Sequence, residues 1–306
     1  MINSEQIIKE LKEYDGPVLK IMEVCGTHTA SIFKSGVRSL ISPNIRLISG
    51  PGCPVCVTPA AYIDRCIEYA LKENHVLVTF GDMMKVPGRK GSLSQVKGDG
   101  AKVELMYSPM EIVEKAVQNP GTTYVIAGVG FETTVPAYAL TMEEAARRGV
   151  KNLRLLTALK TVMPALEWIC ENEDGIDAFL CPGHVSVIIG SSAYESLAKR
   201  YDKPFVVAGF EPEHILAGIY DIVKQLESKE AGQGPGSAGS AHKSETAVHN
   251  LYKNAVKAEG NKKAQEIISR YFEAGSAMWR GLGMIPDSGL YLRPEYEAFD
   301  GGSKGL

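Results

Sequence analysis

Ile45-Arg46-Leu47-Ile48-Ser49-Gly50-Pro51-Gly52-Cys53-Pro54-Val55-Cys56-Val57-Thr58-Pro59 is the stretch on which the reading of this chain turns. The first five residues read as a strand and the glycines and prolines as a loop. Ile63, Cys66, Ile67, Ala70 and Leu71 then recur at helical spacing. Thr58 can cap that helix with Pro59 in its first position. Cys56 then lies just ahead of a helix N-terminus, where the positive end of the dipole favours thiolate over thiol. Two thiols separated by two residues in such a loop are poised for metal or disulfide chemistry.

Working outward, the same grammar of strand, glycine loop and helix recurs. Upstream, Ile7, Ile8, Leu11 and Tyr14 mark one face of a helix, and Pro17 to Val24 reads as a strand ending in Cys25-Gly26-Thr27-His28-Thr29. Downstream, His75 to Phe80 runs into Gly81-Asp82-Met83-Met84-Lys85-Val86-Pro87-Gly88, and Ser108-Pro109-Met110-Glu111 has the form of a capping box. Thr123 to Gly128 leads to Gly130-Phe131-Glu132-Thr133-Thr134. Further strands are expected at Leu153 to Leu156, Ile176 to Leu180 and Phe205 to Ala208, the last followed by Gly209-Phe210-Glu211. The two Gly-Phe-Glu turns hint at a duplicated unit.

This alternation predicts an α/β fold of two similar Rossmann-like domains with parallel sheets, plus a helical part from the terminal segments. The expected divisions are residues 17–120, which carry the Cys25 and Cys53/Cys56 loops, and 121–230 as a second α/β domain. Residues 1–16 with 244–306 form a helical third domain, and the small, polar residues 231–243 a flexible linker. Ligands of such sheets bind at the C-terminal ends of the strands, where all of these loops lie.

The 306 residues are 44% hydrophobic and 23% charged, with a net charge of -3. No basic run is present, so the chain lacks the electrostatic footprint of a nucleic-acid or anionic-membrane binder. The N-terminus is polar and leads into an amphipathic pattern, unlike a signal peptide or membrane span, and a cytoplasmic location is expected. The six cysteines would stay reduced there, which favours metal or redox use over structural disulfides.

Cys25-Gly-Thr-His28 and Cys53-Pro-Val-Cys56 end consecutive strands. If those strands are neighbours, three thiols and an imidazole converge on one sheet edge, a set that suits zinc or iron. A closed structural zinc site and a thioredoxin-like dithiol are both open readings, although that dithiol normally opens its helix directly. Cys66 and Cys170 sit on apolar helix faces and read as core, whereas Cys181 reads equally as core or site. His184, in the turn Pro182-Gly183-His184-Val185-Ser186, is a ligand or proton-transfer candidate. Glu211 reads as a helix cap. Glu132 is followed by threonines that can cap, which frees its carboxylate for chemistry. Asp82 and Lys85 read either as functional or as a salt bridge. No Walker loop and no intact Gly-x-Gly-x-x-Gly follows any strand.

In this order, Met22-Glu23-Val24-Cys25-Gly26-Thr27-His28-Thr29, Gly50 to Cys56, Gly81 to Gly88, Gly130 to Thr134 and Pro182 to Ser186 closely resemble the HypD family of nickel-iron hydrogenase maturation factors. The resemblance implies an assembly scaffold for the Fe(CN)2CO group, working with a HypC-type chaperone and a HypE-type cyanide donor, with redox-active thiols but without conventional turnover. It implies that Cys25 holds the iron jointly with a partner cysteine and that Cys53 and Cys56 do thiol redox chemistry. His28 and Glu132 join that pair as catalytic candidates, and Thr27, Thr133 and His184 join Cys25 in binding the iron group. The family also carries a C-terminal cysteine-rich segment for a 4Fe-4S cluster. This sequence has no cysteine after Cys181 and is read as a truncated or shortened form without those ligands.

Overall fold

A computed structural model of the chain describes residues 3–232 and 247–306. In chain order its strands are β1 (Leu19–Glu23), β2 (Ile45–Ser49), β3 (His75–Thr79), β4 (Val103–Leu105), β5 (Thr123–Gly130) and β6 (Leu153–Lys160). They are followed by β7 (Ala178–Pro182), β8 (Phe205–Ala208), β9 (Val248–Asn250), β10 (Phe272–Trp279) and β11 (Gly283–Leu292). The chain divides into two compact units, Met1–Gly52 with Leu166–Lys262 and Cys53–Ala165 with Lys263–Leu306. Both are α/β with largely parallel sheets, as the alternation of strands and helices predicts.

The first unit holds a parallel sheet in the order β2-β1-β7-β8-β9. Strands β7 and β8 are buried throughout, the mark of parallel strands covered on both faces. One face packs Ile21, Leu47, Leu180 and Val206 against Ile32 of the helix Gly26–Lys34 and Ile215, Ile219 and Ile222 of the helix Pro212–Gly232. The N-terminal helix Ser4–Glu13, capped by Asn3 on the Gln6 amide, docks on this layer through Leu11 and through Glu10, which accepts from Tyr220 Oη at 3.0 Å.

The second unit holds a sheet in the order β10-β11-β6-β5-β3-β4, parallel except for the antiparallel pairings of β10 and β11. Along β5 the side chains alternate between two buried layers. Tyr124 and Ile126 join Tyr138 and Met142 on one face, and Val125, Ala127 and Val129 join Tyr62 and Ile63 on the other. Strands with both faces covered read as continuous apolar runs, which is why β5 and β6 were legible.

Several expectations change. The division at residue 120 fails because β1 and β2 pair with β7 rather than with β3, so each unit draws on two stretches of chain. Among the described residues no helical third domain forms: Ser4–Glu13 belongs to the first unit, and of residues 247–306 only Lys262–Tyr271 is α-helix. Val248 to Asn250 is an edge strand ended by Asn250, whose Oδ1 accepts from the Tyr252 amide. Trp279 to Leu292 is most of an antiparallel hairpin. The expected linker, beyond residues 231 and 232, lies outside the described residues. Glu111 bonds the Tyr107 amide and Ser108 the Met110 amide, so no capping box forms there. The two Gly-Phe-Glu turns follow the third parallel strand of one unit and the fourth of the other, so they do not mark equivalent positions. Among the described residues no helix is long and apolar enough to cross a membrane.

Candidate functional site

Each unit places its first strand in the sheet beside its second and third, the doubly wound order in which a crevice opens at the carboxyl ends where successive crossovers leave in opposite directions. In the first unit that point lies between β1 and β7, and Cys25 and His184 follow those strands. In the second it lies between β3 and β5, and Glu132 follows β5. The structure therefore gathers the candidate residues in two sets: Cys25, Thr27, His28 and His184 in one unit, Cys53, Cys56, Glu132 and Thr133 in the other.

Cys25 is the N-cap residue of the helix Gly26–Lys34. Its half-buried Sγ accepts from the Thr27 amide at 3.4 Å, while the Thr27 side chain is exposed. The strand end is held by Gly52, where a methyl group would overlap the Val24 carbonyl, and the Gly26 amide donates to the Gly52 carbonyl at 3.3 Å. One helical turn on, His28 is fully buried and its Nε2 donates to the Gly209 carbonyl at 2.9 Å. Burial pushes its imidazole down to about 4, so it is neutral at physiological pH. Its Nδ1 lone pair is buried without a partner. His28 and the exposed His184 both lie against the Phe210 ring, with centroids 4.7 and 4.0 Å away.

Glu23, two residues before Cys25, escaped the sequence reading. It is fully buried at the end of β1, where Oε1 accepts from Ser49 Oγ at 2.9 Å and Arg38 Nη2 at 3.4 Å, while Oε2 has no partner. Burial raises its carboxyl above the usual range. Its sequence signal was an acidic residue closing β1 inside the Met22 to Thr29 motif.

In the second unit Cys53 and Cys56 are joined in a disulfide, Cys53 half-buried and Cys56 exposed. The helix after them begins at Ala60 with Pro59 as its N-cap. Thr58 does not cap it, because its hydroxyl donates back to the Pro54 carbonyl at 2.8 Å and closes the loop on itself. In this disulfide form the two sulfurs are bonded to each other and do not serve as zinc ligands. Among the described residues no group of three or more His, Cys, Asp or Glu is gathered to hold a metal. Cys66 and Cys181 are fully buried, with their thiols pushed up by desolvation, and Cys170 is half-buried with its thiol raised to about 11; all three pack structurally.

Glu132 is buried after β5. Its Oε1 accepts from the Val162 amide at 2.8 Å, its Oε2 has no partner, and desolvation raises the carboxyl to about 7. Thr133 is exposed, and Thr134, the residue at the helix N-cap, makes no side-chain cap. At the end of β6, Lys160 is 2% exposed with no carboxylate beside it. Its Nζ donates to the Met278 carbonyl at 2.8 Å and lies 5.4 Å from the centre of the Trp279 ring. Burial lowers its ammonium from 10.5 to about 8. The folded state thus gains stability as pH rises from about 8 to 10.5 and loses it as pH falls through 8. Lys160→Met is expected to remove that dependence and to stabilise the protein at pH 7 by about 2 kcal/mol, the relieved desolvation less the lost hydrogen bond. Thermal unfolding at pH 7 and pH 10 checks this; a variant less stable at both would refute it.

The HypD family profile, described as "Hydrogenase formation hypA family", matches residues 3–304. The chain is 44% identical over 284 residues to the hydrogenase maturation factor HypD of Escherichia coli (strain K12), covering 92% of this chain and 72% of that protein. It is 42% identical over 286 residues to the HypD of Rhodobacter capsulatus, covering 93% and 72%. The HypD of Azotobacter vinelandii is 38% identical over 289 residues, covering 92% and 72%. The ordered motifs, the two doubly wound sheets and this similarity along nearly the whole chain agree, and the chain belongs to the HypD family of hydrogenase maturation factors.

Proposed function

We propose that the chain is a scaffold on which the Fe(CN)2CO group of nickel-iron hydrogenase is assembled, with the iron held by Cys25 and a cysteine of a HypC-type chaperone, and cyanide delivered by a HypE-type donor. The observation that carries this reading is Cys25 itself, a half-buried thiol at a strand end in the sheet crevice, its sulfur accepting an amide hydrogen bond, with no complete cage of protein ligands around it among the described residues. A lone soft thiolate suits low-spin iron that brings its own diatomic ligands and shares a second thiolate from a partner. His28 offers an uncharged, unpartnered Nδ1 one helical turn away. Cys53 and Cys56 supply two electrons when the dithiol closes to the observed disulfide with loss of two protons.

After co-expression with HypC-type and HypE-type partners, the purified complex is expected to show cyanide and carbonyl stretches in the infrared. Cys25→Ala is expected to lose them, and bands that survive in Cys25→Ala would sink the assignment. A second reading, favoured by the disulfide, is a stand-alone thiol-disulfide oxidoreductase. It requires turnover of a disulfide substrate that Cys53→Ser abolishes and Cys25→Ala leaves intact.

A further inference from the structure

Arg280, in the turn that joins β10 to β11, is tied to the segment that leaves the Cys53–Cys56 loop. Its backbone amide donates to the Val57 carbonyl at 2.8 Å, its Nε to the Thr58 carbonyl at 2.7 Å and its Nη2 to the Pro87 carbonyl at 2.8 Å. The two carbonyls directly after Cys56 are thus held by one residue 222 positions from Thr58. Inside the loop the Val57 amide bonds the Cys53 carbonyl at 3.1 Å, and the Thr58 hydroxyl bonds the Pro54 carbonyl at 2.8 Å. Those local bonds shape the turn; Arg280 adds three hydrogen bonds that tie its exit, where Val57 and Thr58 are buried, to the β10–β11 turn.

The anchor is itself rigid. The neighbouring Trp279 is 1% exposed, donates through Nε1 to Ser288 Oγ at 2.8 Å and stacks on Phe131 with centroids 5.9 Å apart. A guanidinium is a planar fork whose donors are oriented together, so it can hold two carbonyls with less entropy loss than a flexible ammonium. The stability of a disulfide depends on how closely the chain holds its two thiols together once it is reduced, which is an effective concentration. Restraining the segment beside Cys56 raises that concentration.

We propose that Arg280 is the positioning residue of the Cys53–Cys56 pair, holding the loop exit so that the reduced thiols stay within bonding reach and the disulfide is the harder to reduce. The relevance of this to cofactor assembly rests on the reading above; the effect on the pair does not. The reaction that reads it is the exchange of the protein disulfide with two glutathione thiols, which gives two protein thiols and one glutathione disulfide. One S–S bond breaks as another forms, and the glutathione protons pass to the cysteines.

Purified parent, Arg280→Ala and Arg280→Lys proteins are equilibrated in glutathione buffers of graded ratio, quenched with an alkylating reagent and scored by mass for the reduced pair. Arg280→Ala is expected to lower the equilibrium constant for disulfide formation about tenfold, which is ~30 mV towards easier reduction. Arg280→Lys is expected to fall between, because lysine keeps the charge and loses the fork. An unchanged constant in Arg280→Ala, whatever its thermal unfolding temperature, overturns the proposal. Should Arg280→Ala not fold, an Arg280→Lys constant equal to that of the parent overturns it. An altered constant together with absent infrared bands would refute the assembly reading alone, and unchanged constants with bands present would refute the role of Arg280 alone.

Discussion

Glu132→Gln is expected to make the protein more stable than the parent above neutral pH, by up to about 3 kcal/mol, and to leave the two alike near pH 4.5. The sign follows from burial. The unfolded chain releases the Glu132 proton near 4.5, whereas the folded chain keeps it until about 7, because desolvation disfavours the carboxylate more than the Val162 amide and the residue's own backbone amide favour it. Between those values the folded state binds more protons than the unfolded one, so stability falls as pH rises and stays reduced above 7. Glutamine keeps an acceptor for the Val162 amide and has no charge to bury. Urea unfolding of both proteins at pH 4.5, 6 and 8 checks this, and parallel profiles across that range would refute it. The same property bears on chemistry: a carboxyl that titrates near 7 at a strand end can hold or give up a proton at physiological pH.

Gly52→Ala is expected to destabilise the protein by ~3 kcal/mol or more, and to disturb the Cys25 turn first. The added methyl would overlap the Val24 carbonyl and press on the Cys25 backbone, so the atoms that must give way are main chain and not the ends of flexible side chains. Gly52 also supplies the carbonyl that receives the Gly26 amide, and the strand ends on both sides of it are joined residue by residue from Leu19–Ile45 to Glu23–Ser49. Opening this close approach loosens the carboxyl ends of β1 and β2 together, and with them the N-cap position of Cys25. Chemical denaturation measures the loss, and the rate of Cys25 alkylation in folded protein, with Cys53 and Cys56 oxidised, measures the loosening. A variant with the parent midpoint and alkylation rate would show that the two backbones are not in contact there.

Much of the site was legible because its chemistry is carried by residue type and local spacing. Cys25 with His28 and Cys53 with Cys56 stand out in any reading, and the strand-end turns around them were correctly placed by glycine and proline. Glu23, Lys160 and Arg280 were not legible. A single charge in or beside a strand reads as the solvent-facing member of an alternating pattern, and nothing local says that Lys160 ends up over Trp279 or that Arg280 reaches the Thr58 carbonyl. Three-residue β9 was lost to a helical pattern because so short a window fits both periods, and β10, half exposed along its length, lacked the apolar signal that made β5 plain.

By itself the sequence determined which segments are strands buried on both faces, where their loops fall and which thiols and imidazoles those loops carry, because side-chain period and turn chemistry act over a few residues. Only the tertiary structure decided that β1 and β2 belong with β7 while β3 and β4 belong with β5, and so how the chain divides into two units. It also decided the direction in which the titrations of His28, Glu132 and Lys160 are displaced, which depends on desolvation by chain far away in sequence: His28 meets Gly209, and Lys160 meets Met278. Strand pairing and desolvation are long-range sums over packed neighbours, and no local pattern encodes them.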